Sequence, residues 1–366
     1  MLPSFAELPR RIEQHLLEFD RVVLIYLDAF GWTFLEQQGD HRLFRRAQVE
    51  KLTSQFPSTT TAHVTTIHTG LPVGAHGLYE WHVYEPRLHR LITPLPFSFA
   101  GDGERDTLVG TLDPAELYPG TTLYERLDVA AHVAGPRAIA DSPSSRCLTR
   151  GATLHRFEAT AEGLAVLASA VAGEERAYGT IYLPDVDTYM HASGPDDPAV
   201  ATLFEQTLSA VDNAVFPEGA LVLLTADHGM AAISPERSVY VNVVWPEIGD
   251  HLETGADGKP LAPAGSCRDL FLHARPDRVD FVVERLGTLL EDVAVVRPVR
   301  ELVDEGLFGP VSEALGTRLA NVVVLPYRGE AVYWLEPGRF EQHFRGQHGG
   351  VSREEMEIPL VSFVAG

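Results

Sequence analysis

The sequence predicts an α/β protein, a three-layer αβα sandwich around a mostly parallel central sheet with a small inserted α+β subdomain. Three observations carry that prediction. Apolar runs that stop abruptly at an acid, residues 22–27 before Asp28 and residues 219–226 before Asp227, read as strands buried on both faces. Stretches of helical length separate such runs, so β and α alternate along the chain. From about residue 233 to 327 the alternation gives way to short β-like runs around one helix, which reads as an insertion. The core is therefore assigned to residues 1–232 and 328–366, and the inserted subdomain to 233–327.

Taken in order, residues 22–27 form the first strand and 31–38 a helix. Gln55-Phe56-Pro57-Ser58 is a turn, and residues 60–69 read as a helix closed by Gly70. Residues 85–120 are rich in Pro, Gly and polar side chains and resemble a substrate-facing excursion more than core. A strand lies within 127–139, an Ala-rich amphipathic helix at 160–171, a strand at 177–183 and a helix at 199–215. Within the insertion, strands are expected at 238–244, 269–274, 293–299 and 322–325, with a helix at 277–290. Residues 338–350 form a loop, and a last strand lies near 358–364.

Composition narrows the class of function. The chain has 366 residues, 45% of them hydrophobic, enough for a large core. Its formal charge of −22, with no Lys/Arg cluster, argues against a nucleic-acid duplex as partner. An anionic substrate would need metal ions in the site. Cys147 and Cys267 form no CxxC pair, so neither a thiolate metal site nor a disulfide framework is expected. No basic leader followed by an apolar core opens the chain, and no apolar run reaches membrane-spanning length. The expectation is a cytoplasmic protein with no membrane partner.

Several metal-ligand types follow strands or sit on loops that can reach one sheet edge. Asp28 ends the first strand, and Asp227 and His228 end a later one before Gly229. Asp187 and His191 stand at i and i+4, which puts both on one face of a helical turn. His348 lies in the glycine-rich Gly346-Gln347-His348-Gly349-Gly350. Three carboxylates and three imidazoles suffice for two zinc ions with three protein ligands each. Such a pair of ions forms the clamp used in phosphoryl displacement. Thr60, at the start of a helix, is the candidate nucleophile, because backbone N–H groups there face an anion. The competing reading is that Ser58, Thr59 or Thr60 only caps the helix.

Five stretches together resemble the alkaline phosphatase superfamily, in its type I phosphodiesterase/nucleotide pyrophosphatase branch. They are Leu27-Asp28-Ala29; Phe56-Pro57-Ser58-Thr59-Thr60 with Thr69-Gly70-Leu71-Pro72 and His76-Gly77-Leu78; Tyr182 to Asp187 with His191; Thr225 to Met230; and Arg345 to Gly350. They occur in the family's order and span most of the chain. The resemblance implies an alkaline phosphatase-like fold. It implies one metal on Asp187, His191 and His348 and another on Asp28, Asp227 and His228, the ions being zinc with manganese as alternative. It further implies attack by Thr60 on phosphorus, a phospho-threonine intermediate, and a small-molecule phosphate ester or nucleotide as substrate.

One departure matters. Phosphodiesterases of this family carry an Asn shortly after the nucleophile to hold a phosphate oxygen, whereas this chain reads Thr61-Ala62-His63-Val64. His63 either takes that substrate-binding role or only packs nearby, and the choice between diester and monoester stays open with it. Asp185 competes with Asp187 on paper, but only Asp187 has the i, i+4 relation to His191. His68 and His76 read as structural, and His82, His89, His132 and His155 as solitary. Trp81 and Tyr84 are candidates to wall a pocket. The alternatives are a phosphomonoesterase of the same superfamily, a phosphomutase, and a metal-binding module without catalysis. A sulfatase is excluded, because Cys147 is followed by Leu148-Thr149-Arg150 and not by the required motif.

Overall fold

The computed structural model describes residues 2–118 and 120–366. Its centre is a seven-stranded sheet built from β1 (Arg21–Leu27), β2 (Gln48–Thr53), β6 (Ala130–Pro136), β7 (Thr153–Phe157), β8 (Ala177–Leu183), β9 (Leu221–Thr225) and β18 (Glu357–Val364). The strand order is β2-β18-β9-β1-β8-β6-β7. β1 lies parallel between β8 and β9, with Val23 beside both Gly179 and Val222. β6 continues the parallel run to β7, and only β18 runs against its neighbours β9 and β2. The apolar runs chosen from the sequence are thus the three central strands, each buried on both faces.

Helices cover both faces, which makes the three layers. On one side α1 (Thr60–Thr69) packs with the N-terminal segment, where Phe5 meets His63 at 4.7 Å between ring centroids. On the other, α2 (Thr160–Ala172) covers β6, β7 and β8, and α4 (Pro198–Asn213) lies beside it, after α3 (Asp185–Ser193). α1 is buried almost all round although it is threonine-rich. Two of its hydroxyls bond within the helix, Thr65 donating to Thr61 O at 2.8 Å and Thr69 to Thr65 O at 2.6 Å, while Thr66 Oγ1 accepts from Gln55 Nε2 at 3.0 Å.

The insertion contains a four-stranded antiparallel sheet, β12 (Ala264–Gly265), β13 (Leu270–Leu272), β15 (Val322–Pro326) and β14 (Ala294–Pro298), with α5 (Val279–Leu289) on it. The strand expected at 238–244 is shorter than read. Only β11 (Val239–Tyr240) pairs, with β16 (Val332–Tyr333), and Val241–Val244 is a helical turn. The excursion at 85–120 is also more ordered than read. β3 (Val83–Glu85), β4 (Arg90–Thr93) and β5 (Ser98–Phe99) form a sheet, and Phe97 and Ile92 share a core cluster with Phe271 and Val323 of the insertion. Among the described residues, no helix is long and apolar enough to cross a membrane.

Two buried ion pairs tie residues 233–327 to the rest of the chain, Arg318 with Glu85 at 3.0 Å and, more deeply buried, Arg268 with Glu355. Arg268, just before β13, meets Glu355 by two parallel bonds of 3.0 and 2.9 Å, and both side chains are sealed from solvent. Glu355 also accepts from Gly350 N at 3.0 Å and Ser352 N at 3.2 Å, and its backbone carbonyl accepts from Gly229 N at 3.0 Å. Arg268→Ala leaves that carboxylate buried without its partner. We expect a loss of about 3–5 kcal/mol in unfolding free energy, read by guanidinium denaturation. A loss under about 1 kcal/mol, the range of an exposed pair, would show that the pair is not a joint.

Candidate metal centre

Three adjacent parallel strands deliver their acids to the same edge, the carboxyl end where α/β folds keep ligands. Asp28 follows β1, Asp187 lies in the first turn of α3 after β8, and Asp227 with His228 follows β9. His191 comes from one turn further along α3, and His348 from the loop after β17 (Gly346–Gln347), which pairs with β10 (Ala231–Ala232) beyond the Asp227 turn. The structure gathers these six into two groups, Asp187/His191/His348 and Asp28/Asp227/His228, with the ligand atoms of each within 4.8 Å of one another.

Each imidazole is held by its Nδ1, which donates to a backbone carbonyl. His191 bonds Gly346 O, His348 bonds Ser58 O, and His228 bonds Gly229 O, all at 2.9 Å. That fixes the tautomer and turns each Nε2 inward as a lone-pair donor, as metal-ligating histidines require. His191 Nε2 lies 3.3 Å from Asp187 Oδ2, and His228 Nε2 lies 3.1 Å from Asp227 Oδ2 and 3.5 Å from Asp28 Oδ1. The two groups abut, because the His228 and His348 rings stack at 3.6 Å.

The buried oxygens test whether cations fit. Asp28 Oδ1, Asp187 Oδ1 and Asp227 Oδ2 are shielded from solvent and meet no hydrogen-bond donor. Their other oxygens are used: Tyr182 OH donates to Asp28 Oδ2, and Ala29 N and His228 N donate to Asp227 Oδ1. Each carboxylate thus keeps one oxygen free toward the histidine nitrogens, a donor set that suits zinc. Electrostatics agree. Burial, with the charges of Asp227 and Asp187, pushes the Asp28 carboxyl well above the usual range. Burial works against Asp227 too, yet His228, His63 and His348 hold it below that range. Burial opposes charge on His228, but Asp227 and Asp187 outweigh it and raise the imidazole. Burial and His228 carry His348 well below its ordinary value. Three carboxylates buried together, one pushed toward its protonated form and one leaning on the His228 imidazole, are a site asking for positive charge.

Thr60 opens α1 with its Oγ1 3.2 Å from His228 Nε2. The helix-capping alternative finds no support here. Thr59 is the N-cap residue and makes no side-chain cap bond, while Ser58 Oγ donates to Gly350 O at 2.8 Å. Thr60 instead faces a cavity of about 790 Å³ together with Asp187, His191 and His348.

His63 is not brought to that cavity. It is fully buried, with Gln55 N donating to its Nε2 at 2.9 Å and its Nδ1 bonded to Thr59 O at 2.7 Å. Burial lowers its pKa to about 4, so it is a neutral clamp on the turn before Thr60 with no nitrogen left for substrate. Asp185 is exposed and accepts from Thr160 Oγ1 at 3.4 Å, away from the ligands. Trp81 lines the cavity, whereas Tyr84 packs on His273. His132 and His155, read as solitary, face each other at 3.1 Å across β6 and β7. Sequence reasoning missed the Tyr182 hydroxyl on Asp28, and it missed Glu80 and Asp269, two buried acids beside the cavity. An acid between the aromatic residues Tyr79 and Trp81 was the one available hint of the latter.

The sequence profile of the type I phosphodiesterase/nucleotide pyrophosphatase family matches residues 22–349. The chain belongs to that family. It is accordingly a hydrolytic enzyme of the phosphodiesterase/pyrophosphatase kind, and the resemblance read from its motifs holds. Among solved structures it is similar to murine ectonucleotide pyrophosphatase/phosphodiesterase 5, with 16% identity over 93% of this chain and 87% of that one and a TM-score of 0.69. An inactive variant of that murine protein in complex with AMP is similar at a TM-score of 0.68. Phosphonoacetate hydrolase from Sinorhizobium meliloti is similar at 17% identity, over 93% of this chain and 89% of that one, with a TM-score of 0.62. These likenesses show the shared fold. No curated protein sequence matches the chain.

If the two groups are separate ligand sets, Asp227→Asn should lower bound zinc from two equivalents to one by elemental analysis, and His348→Ala should lose the other. Retention of two equivalents by Asp227→Asn would contradict the grouping.

Proposed function

We propose that this chain hydrolyses a phosphate ester, a phosphodiester or nucleotide pyrophosphate, through a covalent phospho-threonine on Thr60. The observation that carries the reading is the pair of three-ligand groups with free buried oxygens, abutting each other and touching the Thr60 hydroxyl. Two divalent cations, zinc first and manganese second, would acidify a hydroxyl and neutralise phosphoryl oxygens in such a site. Asp187, His191 and His348 would hold one, and Asp28, Asp227 and His228 the other.

The chain's own residues supply the rest. Thr60 Oγ1, at the N-terminus of α1, attacks phosphorus as its proton is lost to the solvent of the cavity. The P–O bond to the alcohol breaks, and the alcohol leaves with the bonding electrons and gains a proton. Water then attacks the phospho-threonine and returns Thr60. The first N–H groups of α1 point at the phosphoryl position and stabilise its charge. His63 holds the Ser54–Thr59 approach to that helix, so the nucleophile is positioned by a neutral side chain and not by a titrating one. We read residues 233–327 as a subdomain that closes one side of the cavity, Gly265, Ser266 and Cys267 contributing to its wall. Cys147 and Cys267 are free and buried, which suits a reducing compartment such as the cytoplasm.

Thr60→Ala should reduce turnover of bis-p-nitrophenyl phosphate by at least roughly 10³-fold while both metal equivalents remain. Full activity in that variant would remove the covalent route.

A further inference from the structure

Beside the nucleophile stands a pair of acids that the metal centre does not use. Glu80 and Asp269 are 1% and 0% exposed, and their carboxyls are neighbours around Gly349. Glu80 Oε2 accepts from Trp81 N, and Asp269 Oδ1 accepts from Ser266 N at 3.2 Å and Ser266 Oγ at 2.6 Å. Glu80 Oε1 and Asp269 Oδ2 are buried without an N–H or O–H partner elsewhere in the chain. Two carboxyl groups buried side by side keep a proton between them, because like charges there cannot both ionise. Burial raises both, Glu80 to about 7 and Asp269 well above the usual range, so the pair carries one negative charge and not two.

The pair is close to where phosphorus would sit. Glu80 lines the cavity together with Thr59, Thr60 and His348. The residue after that histidine is packed on the pair: a Cβ at Gly349 would fall 2.6 Å from Asp269 Oδ1, 2.8 Å from Ser266 Oγ and 2.9 Å from Glu80 Oε1. No buried arginine balances the charge. Among the described residues the two buried arginines are already matched, Arg268 by Glu355 at 2.9 Å and Arg318 by Glu85 at 3.0 Å.

We propose that the Glu80–Asp269 pair selects substrates by charge. Its single unbalanced negative charge admits the monoanion of a phosphodiester and disfavours the dianion of a phosphomonoester. The inference rests on the hydrolase reading above and settles the choice which that reading leaves open. A like charge several ångströms away at an effective dielectric near 20 is enough for roughly tenfold discrimination or more.

The test compares kcat/KM for p-nitrophenyl phosphate and bis-p-nitrophenyl phosphate in the zinc-loaded enzyme. Each single variant, Glu80→Gln or Asp269→Asn, leaves one acid that can ionise, so the monoester-to-diester ratio should stay within about threefold of wild type. The double variant Glu80→Gln/Asp269→Asn keeps the shape and removes the charge, and the ratio should rise about tenfold or more. A pair that only braced the Gly346–Gly350 loop would depress both esters together, and an unchanged ratio in the double variant overturns the proposal. Calorimetric binding of inorganic phosphate gives a second readout without turnover, about tenfold tighter in the double variant if the inference holds and no tighter if it fails. Should wild type hydrolyse neither ester with zinc or manganese, the hydrolase reading falls, while phosphate binding still decides the pair.

Discussion

The structure depends on the buried contact between Arg268 and Glu355. A guanidinium and a carboxylate removed from water are costly unless every bond is made. Here they are made: Arg268 also donates to Tyr327 O and Glu330 O, and Glu355 takes two backbone N–H groups besides the arginine. The consequence is geometric. Strands β1, β8 and β9 can place Asp28, Asp187 and Asp227 by sheet register alone. His348 has no strand to place it, since it follows a two-residue β17 in a glycine-rich loop. Glu355 holds Gly350 through its side chain and Gly229 through its backbone, so the loop of one ligand and the turn of two others share a support. Arg268, just before β13, fixes that support by its paired bonds to Glu355.

Inside this frame, charge and not shape governs the site. The whole chain carries −22, and three of its carboxylates are buried together where an anionic ester is proposed to bind. Without compensation such a place would repel its substrate. The protein prepares the compensation in two ways. It pins each histidine through Nδ1 to a carbonyl, so that Nε2 is available without reorganisation. It also leaves one oxygen of each carboxylate without a donor. Donors placed there would make the apoprotein more comfortable and the cation less welcome, so the unsatisfied oxygens are a stability sacrifice made for binding.

The parts legible in the sequence are those whose residues announce their own environment. A run such as Val22 to Leu27 can only be buried, and an acid that ends it can only lie at its mouth. That logic located the three central strands, α1 and the six residues that the fold gathers into two candidate ligand groups. It failed where tertiary context overrides local pattern. β2 reads Gln48-Val49-Glu50-Lys51-Leu52-Thr53 and is largely exposed at a sheet edge, where charge protects against mispairing and hides the strand signal. Val241–Val244 looks like a strand because valine favours one, yet it folds as a helical turn beside Trp245 and Ile248. The pairing of Glu80 with Asp269 spans 189 positions and that of His132 with His155 crosses from β6 to the edge strand β7, so neither leaves a periodic trace. His63 was recognisable as a histidine near the nucleophile, but whether it faced substrate or chain depended on Ser54 and Gln55 folding back over it.

The fold is shared with proteins named for quite different substrates, a nucleotide phosphodiesterase and a phosphonoacetate hydrolase. Substrate choice therefore cannot reside in the sheet or in the ends of its strands, which the fold itself dictates. It must reside in what surrounds Thr60. In this chain that wall comes from the segment carrying Glu80 and Trp81 and from the β12–β13 hairpin of the insertion, whose Asp269 meets Glu80. These two segments also share a hydrophobic cluster, Tyr79 and Phe97 packing with Phe271 and Phe308. A change in the hairpin would thus move the acid proposed to face the phosphoryl position without touching any of the six candidate ligands. The buried acid pair lies on the seam between that wall and the frame of candidate ligands.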